Sequence, residues 1–527
     1  MLLAFYSLLA FGLSAFLLKL SNYVTSDGVA YLRLAENLFA GKGFSINPGE
    51  FYARHHPFYP FLIGVANFFL QDIELSGHFI SILFFSLTVI PLFLLTREIY
   101  SEETAQWASF LYATHGLLLA YSNLIMTESV FTFLLMIQLY GFHRVIQKGD
   151  LRISSAILLG IAGGLGYLTR PEGLLFYGAG LIAFFFLAPN SRRIKFRFCL
   201  VSLTVFLLFF LPYVFFLSRA AGHLEIGGQG REVLVYRQLD FANPGHYMDV
   251  KKIYYGLSAD KTRLKIQDLV QGHGLFYYLA ADRFALIRAG IGSLTTRIFQ
   301  FGNYFFGGLG FIFVGASFFS SPWDPQRKRS EFLLMTFVLP FFCYLFLLFY
   351  PRRFVPLLPL FLIWMGNGMS VWTRWLKGTF HLTKNQIRAA VLLLGLFLIL
   401  PSVGYLRRVL VYGDFPFDDK RLGTWMKENI PNIQDERLAS QAPFVTYYSG
   451  AQMMHLPYVE KFEDFLAYMA YHKAKYFLVN SDLEEPVRQS FLFLLDETQL
   501  PPPEISRKYV VQGKTKKLIL YEIENVS

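Results

Sequence analysis

Apolar residues along this chain fall in long unbroken blocks separated by short polar connectors. The first, residues 2–20 (LLAFYSLLAFGLSAFLLKL), is long enough to cross a hydrocarbon layer of ~30 Å. Similar blocks occupy residues 76–96, 105–122, 126–146, 153–169, 172–188, 199–217, 301–319, 331–350, 354–374 and 388–405, giving about eleven predicted spans. Residues 57–71 (PFYPFLIGVANFFLQ) are apolar but short and carry two prolines. That segment is predicted to lie along the membrane interface or to re-enter it.

Three stretches break the pattern. Residues 21–75 begin with SNYVTSDGVAYLRLAENLFAGKG, which is polar, helical in period and closed by glycines. Residues 218–300 are too long for a simple connector and contain the amphipathic run KTRLKIQDLVQGHGLFYYLAADRFALI, as expected of a functional cover. After Val411 the hydrophobicity falls. There FDDKRLGTWMKENI and EKFEDFLAYMAYHK read as helices, and KYFLVN and KLILYEI as strands. The predicted organisation is a transmembrane part, residues 1–411 with outer loops 21–75 and 218–300, followed by a small soluble α/β domain at 412–527.

Composition sharpens the class. With 54% hydrophobic and 16% charged residues, and 58 Phe and 31 Tyr, the chain is too apolar for a soluble core, so it reads as a polytopic α-helical membrane protein. The net charge of +11 does not indicate nucleic-acid binding, because the basic residues gather in connectors: RVIQKGDLR (144–152), NSRRIKFR (190–197), PQRKR (325–329) and RWLKGTFHLTKNQIR (374–388). The opposing connector SNLIMTE (122–128) has no Lys or Arg. The positive-inside rule then puts the basic connectors in the cytoplasm, and Asp27, Glu128, Arg170 and the tail on the other side. Lys19, at the outer end of the first block, runs against that bias. The N-terminal block is too long, and lacks the basic flank, for a cleaved signal. Cys199 and Cys343 both fall in predicted spans, which disfavours a disulfide framework or a cysteine metal site.

Few residues stand where chemistry at a membrane edge needs them. Asp27 opens a helical pattern with Tyr31 one turn along the same face. It reads either as a helix-capping acid or as a carboxylate available to a substrate. His55 and His56, before Pro57, read as hydrogen-bond donors to a phosphate or sugar hydroxyl, or as polar interfacial anchors. Glu128 stands near the outer end of a span, where an acid is costly unless it meets a cavity or a cation, although a helix start also favours an acid. Arg170 ends the glycine-rich segment GIAGGLGYLTR, whose glycines allow close helix approach. Arg352 and Arg353, after Tyr350 in FYPRRFVPLLP, stand at another outer turn. Guanidiniums suit bidentate phosphate binding, with pairing to Asp27 or Glu128 as the structural alternative. No Walker sequence, G-x-G-x-x-G unit, HExxH or nucleophile elbow occurs. A sugar transferase without a nucleotide site, working outside the cytoplasm, needs a lipid-linked donor.

The chain resembles the integral-membrane glycosyltransferases of the GT-C fold, in the protein O-mannosyltransferase and lipid A aminoarabinose transferase superfamily. The matching stretches are SDGVAYLRLAENLFAGKGF with HHPFYPFLIG, NLIMTESVFTFLL, GIAGGLGYLTRPEGLL, YPRRFVPLLPLFLIWMGNGM and, in the tail, VTYYSGAQMMHLPY. The resemblance implies inverting transfer of a hexose or pentose from a polyprenyl-phosphate sugar to a glycan, lipid or protein acceptor. It implies a multi-pass protein of the bacterial inner membrane with an extracytoplasmic site. It assigns Asp27 as general base, Glu128 as a second acid, and Arg170, Arg352 and Arg353 as phosphate-contacting cations. Tyr31, His55, His56 and Tyr350 complete the expected substrate site, with the lipid-linked donor as co-substrate, no cofactor and no residue assigned to a metal, the need for which is left open. Many members carry a second acid directly after the first, where this chain has Gly28. The rival readings are an O-antigen ligase or polymerase, which also uses a lipid-linked donor, and a polytopic lipid or glycan transporter. A transporter would place ionisable residues at mid-membrane rather than at one edge.

Overall fold

A computed structural model describes residues 1–20, 23–47, 54–227, 252, 255–265, 298, 310–320, 322–347, 351–380, 383, 385–386, 389–390, 393–395, 416–481, 489–513 and 516–524. The chain divides into two units. Met1–Asn22, Ala53–Gly227 and Ile287–Gly413 form the first; Tyr23–Tyr52, Gly228–Leu286 and Asp414–Ser527 form the second. The sequence assigns 21–75 and 218–300 to the membrane part; in the structure the described residues 23–47 and 255–265 fall in the unit of the tail.

The first unit is helical. Helix α1 (Leu2–Leu20) opens it, and α2 (Ser26–Phe39) belongs to the second unit. The first unit continues with α3 (Phe58–Leu70), α4 (Ile73–Ile99), α5 (Glu102–Thr114), α6 (Gly116–Ser122), α7 (Glu128–Lys148), α8 (Ile153–Thr169), α9 (Gly173–Leu187) and α10 (Arg192–Ala221). Beyond these lie Gly310–Phe318, Pro325–Leu347, the short turn Pro351–Phe354 and Leu358–Phe380. Among the described residues, five helices are long and apolar enough to cross a membrane: α1, α4, α7, α10 and Arg352–Phe380. Helices α3, α8 and α9 are apolar but shorter. The block at 105–122, expected as one span, is two helices, because His115 takes an extended backbone (φ −69°, ψ 119°) between α5 and α6. Most of the predicted block 388–405 lies outside the described residues.

Close packing follows from the glycines of α8. A Cβ at Gly160 would stand 2.5 Å from the Ser202 carbonyl oxygen of α10, and one at Gly163 2.4 Å from the Tyr177 ring of α9. Real side chains would push these helices apart. Aromatic rings fill the space so defined, with Tyr177 stacked on Phe206 at 4.5 Å and Phe176 against Phe341 at 4.6 Å.

The second unit holds a five-stranded sheet of order β2-β1-β3-β5-β4. Its strands are β1 (Arg437–Ser440), β2 (Gln452–His455), β3 (Tyr476–Asn480), β4 (Ile505–Gln512) and β5 (Lys517–Ile523). β1 runs parallel to β2 and β3, while β5 is antiparallel to β3 and β4. Helix Phe444–Ser449 is the crossover between the parallel neighbours β1 and β2, and helix Phe462–Tyr471 carries the chain from β2 past β1 to β3. Phe465, Phe477, Phe491 and Tyr521 meet in the core of this unit.

Candidate functional site

An acid–arginine cluster forms in the first unit where four segment ends converge. Glu128 is the first residue of α7 and is buried at 1% exposure. Helix α8 ends at Thr169 because Pro171 follows Arg170 and pushes that residue into extended backbone (φ −152°, ψ 141°). The chain then turns at once into α9, and Gly173 makes the turn possible: a Cβ there would lie 2.4 Å from the Gly166 carbonyl carbon. This tight turn throws Arg170 back over α7. Its Nη1 donates to Glu128 Oε1 at 3.2 Å, its Nη2 donates to Glu172 Oε1 at 3.3 Å, and its guanidinium covers the Phe131 ring at 5.5 Å. Arg352, from Pro351–Phe354, brings Nε to 3.3 Å from the same Glu128 oxygen.

Two carboxylate oxygens in the cluster, Glu128 Oε2 and Glu172 Oε2, are buried with no hydrogen-bond partner among the described residues. Glu172, 8% exposed, is a member that the sequence reading passed over. Burial alone would raise its pKa, but the Arg170 and Arg353 guanidiniums override that and hold it down at about 2. His56 stands against Tyr167 and Tyr213, with ring centroids 5.3 and 5.0 Å away. Burial pushes its pKa down to about 4, opposed by the charge of Glu172 and assisted by that of Arg170, so the ring is neutral at pH 7. His55 is also buried, and its carbonyl accepts a hydrogen bond from the Tyr213 hydroxyl at 3.2 Å. Among the described residues the cluster thus gathers the guanidiniums of Arg170, Arg352 and Arg353 around Glu128 and Glu172, beside a neutral His56.

The structure brings Glu128, Arg170 and Arg352 into direct contact, and places Arg353 and His56 within electrostatic reach of Glu172. Arg170 therefore pairs with two acids, the structural alternative that the sequence left open. Tyr350 lies outside the described residues. Asp27 and Tyr31 belong to the second unit. Of the two roles open to Asp27, capping is overturned: Thr25 is the N-cap of α2, and its hydroxyl accepts from Gly28 N at 3.0 Å. Asp27 sits instead in the first helical turn, half-buried, with Tyr31 buried one turn on. An acid there is favoured by the helix dipole.

The family profile described as dolichyl-phosphate-mannose-protein mannosyltransferase matches residues 54–216. No curated protein matches the chain. Among solved structures, the fold is similar to the archaeal oligosaccharyltransferase AglB from Archaeoglobus fulgidus, in complex with an inhibitory peptide and a dolichol-phosphate. That likeness has a TM-score of 0.59 at 17% identity and covers 90% of this chain and 68% of that one. It is similar also to ArnT from Cupriavidus metallidurans bound to undecaprenyl phosphate (TM-score 0.56, 13% identity), over 100% of this chain and 98% of that one. The chain has the GT-C fold. A GT-C architecture together with these apolar helices marks an integral membrane protein. The profile match takes in His55, His56, Glu128, Arg170 and Glu172, and so contains most of the cluster but neither Asp27 nor the Arg352–Arg353 pair.

Proposed function

We propose that this protein is a membrane glycosyltransferase that moves a sugar from a polyprenyl-phosphate donor to an acceptor hydroxyl, with inversion at the anomeric carbon, at the extracytoplasmic face. The observation that carries the reading is the cluster itself: three guanidiniums gathered on two buried glutamates, each with one carboxylate oxygen that has no hydrogen-bond partner among the described residues. A phosphodiester donor carries one negative charge, which guanidiniums suit by bidentate hydrogen bonding. As the sugar leaves, charge builds on the phosphate, so the attraction of Arg352 and Arg353 for it strengthens towards the transition state. Glu128 and Glu172 hold Arg170 in place, and their open oxygens offer acceptors to donor hydroxyls. No metal enters this reading. Asp27 takes the proton of the attacking hydroxyl, and the acceptor oxygen bonds to the anomeric carbon as the sugar–phosphate bond breaks. The face is argued from charge: Lys148 and the basic connector 144–152 follow the far end of the helix that Glu128 begins. In support, the two fold neighbours were solved with dolichol-phosphate and with undecaprenyl phosphate.

Asp27→Asn tests the base. General-base help contributes ~10²–10⁴-fold, so transfer from a polyprenyl-phosphate hexose in liposomes is expected to fall by that order, with polyprenyl-phosphate binding retained. Near-normal transfer by the folded variant would remove Asp27 from the mechanism.

A further inference from the structure

The helix that carries Asp27 is fastened to the α/β domain at two points. Arg33, 8% exposed, sends Nη2 to two backbone oxygens, Thr446 at 2.5 Å and Ala451 at 2.9 Å. Thr446 belongs to the short helix Phe444–Ser449, which ends at Gly450 in left-handed backbone (φ +82°). A helix end leaves carbonyls without intrahelical partners, and a guanidinium is well matched to that negative end. The second fastening is Asn47. Its Nδ2 donates to the Met453 carbonyl at 3.1 Å while its Oδ1 accepts from Met453 N at 3.2 Å. Met453 lies on β2, the edge strand of the sheet, so one side-chain amide occupies the position that a neighbouring strand would take. Between the two points the chain reverses through Gly41 (φ +72°) and Gly43 (φ +82°). Asn37 Nδ2 closes the loop by donating to the carbonyls of Ser45 and Ile46 at 2.8 and 3.1 Å. Residues 26–47 are thus a clip held at two points on one edge of the domain.

Burying an arginine to bind two carbonyls is an expensive way to hold a surface loop, and apolar contacts would serve a purely structural purpose. What the arginine adds is direction: a planar donor set fixes the helix axis and its rotation. Asp27 lies six residues earlier on the same helix, about 9 Å along the axis, so its position is set by how α2 is fixed at Arg33. We propose that the α/β domain is the platform that positions Asp27, with Arg33 and Asn47 as the two positioning residues. This rests on Asp27 being the base, and it gives the domain a place in the reaction without contact to the substrate.

Full-length Arg33→Met, Arg33→Lys and Asn47→Ala are compared with wild type and Asp27→Asn in liposomes carrying a polyprenyl-phosphate hexose. Amide hydrogen exchange is followed over α2 and over the sheet. Misplacing a catalytic group by about 1 Å costs up to ~10²-fold, so Arg33→Met is expected to lower kcat about tenfold or more, with the donor KM within about twofold of wild type. Exchange should rise in α2 and stay unchanged in β1, β3 and β5. Arg33→Lys, which keeps a donor for the carbonyls, should recover most of the rate, and Asn47→Ala should lose rate by a smaller factor in the same parameter. Unchanged kcat in Arg33→Met and Asn47→Ala, while Asp27→Asn is inactive, would overturn the positioning role and leave the base intact. Joint loss of kcat and KM with exchange rising in the sheet would also overturn it, as a folding effect. If Arg33→Met does not accumulate, Asn47→Ala decides: wild-type kcat overturns the proposal and a selective kcat loss supports it. An active Asp27→Asn would instead remove the base reading, a separate outcome.

Discussion

Arginine–glutamate clusters occupy the two ends of α7, and they differ in how fully the glutamates are satisfied. At the far end from Glu128, Arg327 and Glu331 are 7% and 3% exposed, and both of these side chains find partners for their polar atoms. Arg327 Nη1 donates to Ser320 O at 2.5 Å, its Nη2 to Ser317 O at 2.8 Å, and its guanidinium lies 4.4 Å from the Trp323 ring. Glu331 accepts from Arg327 Nε at 3.3 Å, from Trp364 Nε1 at 2.7 Å and from the Tyr100 hydroxyl. Gln147, in the last turn of α7, donates to Gln326 O and to Ser330 Oγ, which ties this cluster to that end. The cluster at Glu128 has similar members but keeps two carboxylate oxygens without hydrogen-bond partners among the described residues. A satisfied pair such as Arg327 and Glu331 needs nothing more and serves the fold. An incomplete one of the same chemistry, buried in the same unit, is where a ligand's hydroxyls and phosphate have something to satisfy.

That contrast separates stability from function, and the largest separation is expected at Glu331. Glu331→Ala strands the buried Arg327 charge and should cost about 3–5 kcal/mol of stability. Thermal unfolding in detergent reads the loss, while the folded fraction keeps its affinity for polyprenyl phosphate. Next comes His56, whose pKa of about 4 in the fold lies below the ordinary 6.5. The unfolded chain binds the extra proton between those values, so stability present above pH 6.5 is lost progressively as pH falls towards 4. The shift amounts to a few kcal/mol. Glu172, lowered from 4.5 to about 2, extends the same trend into stronger acid. His56→Phe should flatten the upper part of that profile in a melting series and leave the lower part. The smallest stability effect is expected at Arg352, whose side chain is 36% exposed. Arg352→Ala should shift unfolding by about 1 kcal/mol or less. Its effect belongs in donor binding instead.

Much of the fold was legible because its signals are strong and local. The spans of α1, α7 and α8 follow directly from apolar length, and α8 at Ile153–Thr169 has the predicted bounds. In the tail, helices Phe417–Asn429 and Phe462–Tyr471 and strands β3 and β5 lie where their periods placed them. Strands β1 and β2 were missed because four residues are too few to show alternation, and β4 (ISRKYVVQ) because its middle is polar. The break at His115 was missed because the apolar run continues through it; only the backbone turns. At the site, Glu128, Arg170 and Arg352 were found from charges standing where an apolar segment ends. Glu172 obeys the same rule, two residues after Arg170 between two apolar helices, but an acid just before a helix also reads as an ordinary helix-start residue. The attachment of α2 to β2 and to helix Phe444–Ser449 joins residues some four hundred positions apart, and local pattern carries no trace of such pairing.

The central claim is that the incomplete cluster receives a lipid-linked phosphate. The most direct test is the affinity of the purified protein in nanodiscs for polyprenyl phosphate, read by native mass spectrometry for wild type, Arg352→Ala, Arg353→Ala and the double variant. Each charge-assisted contact is worth about 1.5–3 kcal/mol, so each single variant should bind about tenfold or more weakly and the double variant weaker still, with melting temperatures close to wild type. Wild-type affinity in the folded double variant would contradict the account, because no phosphate could then depend on those guanidiniums.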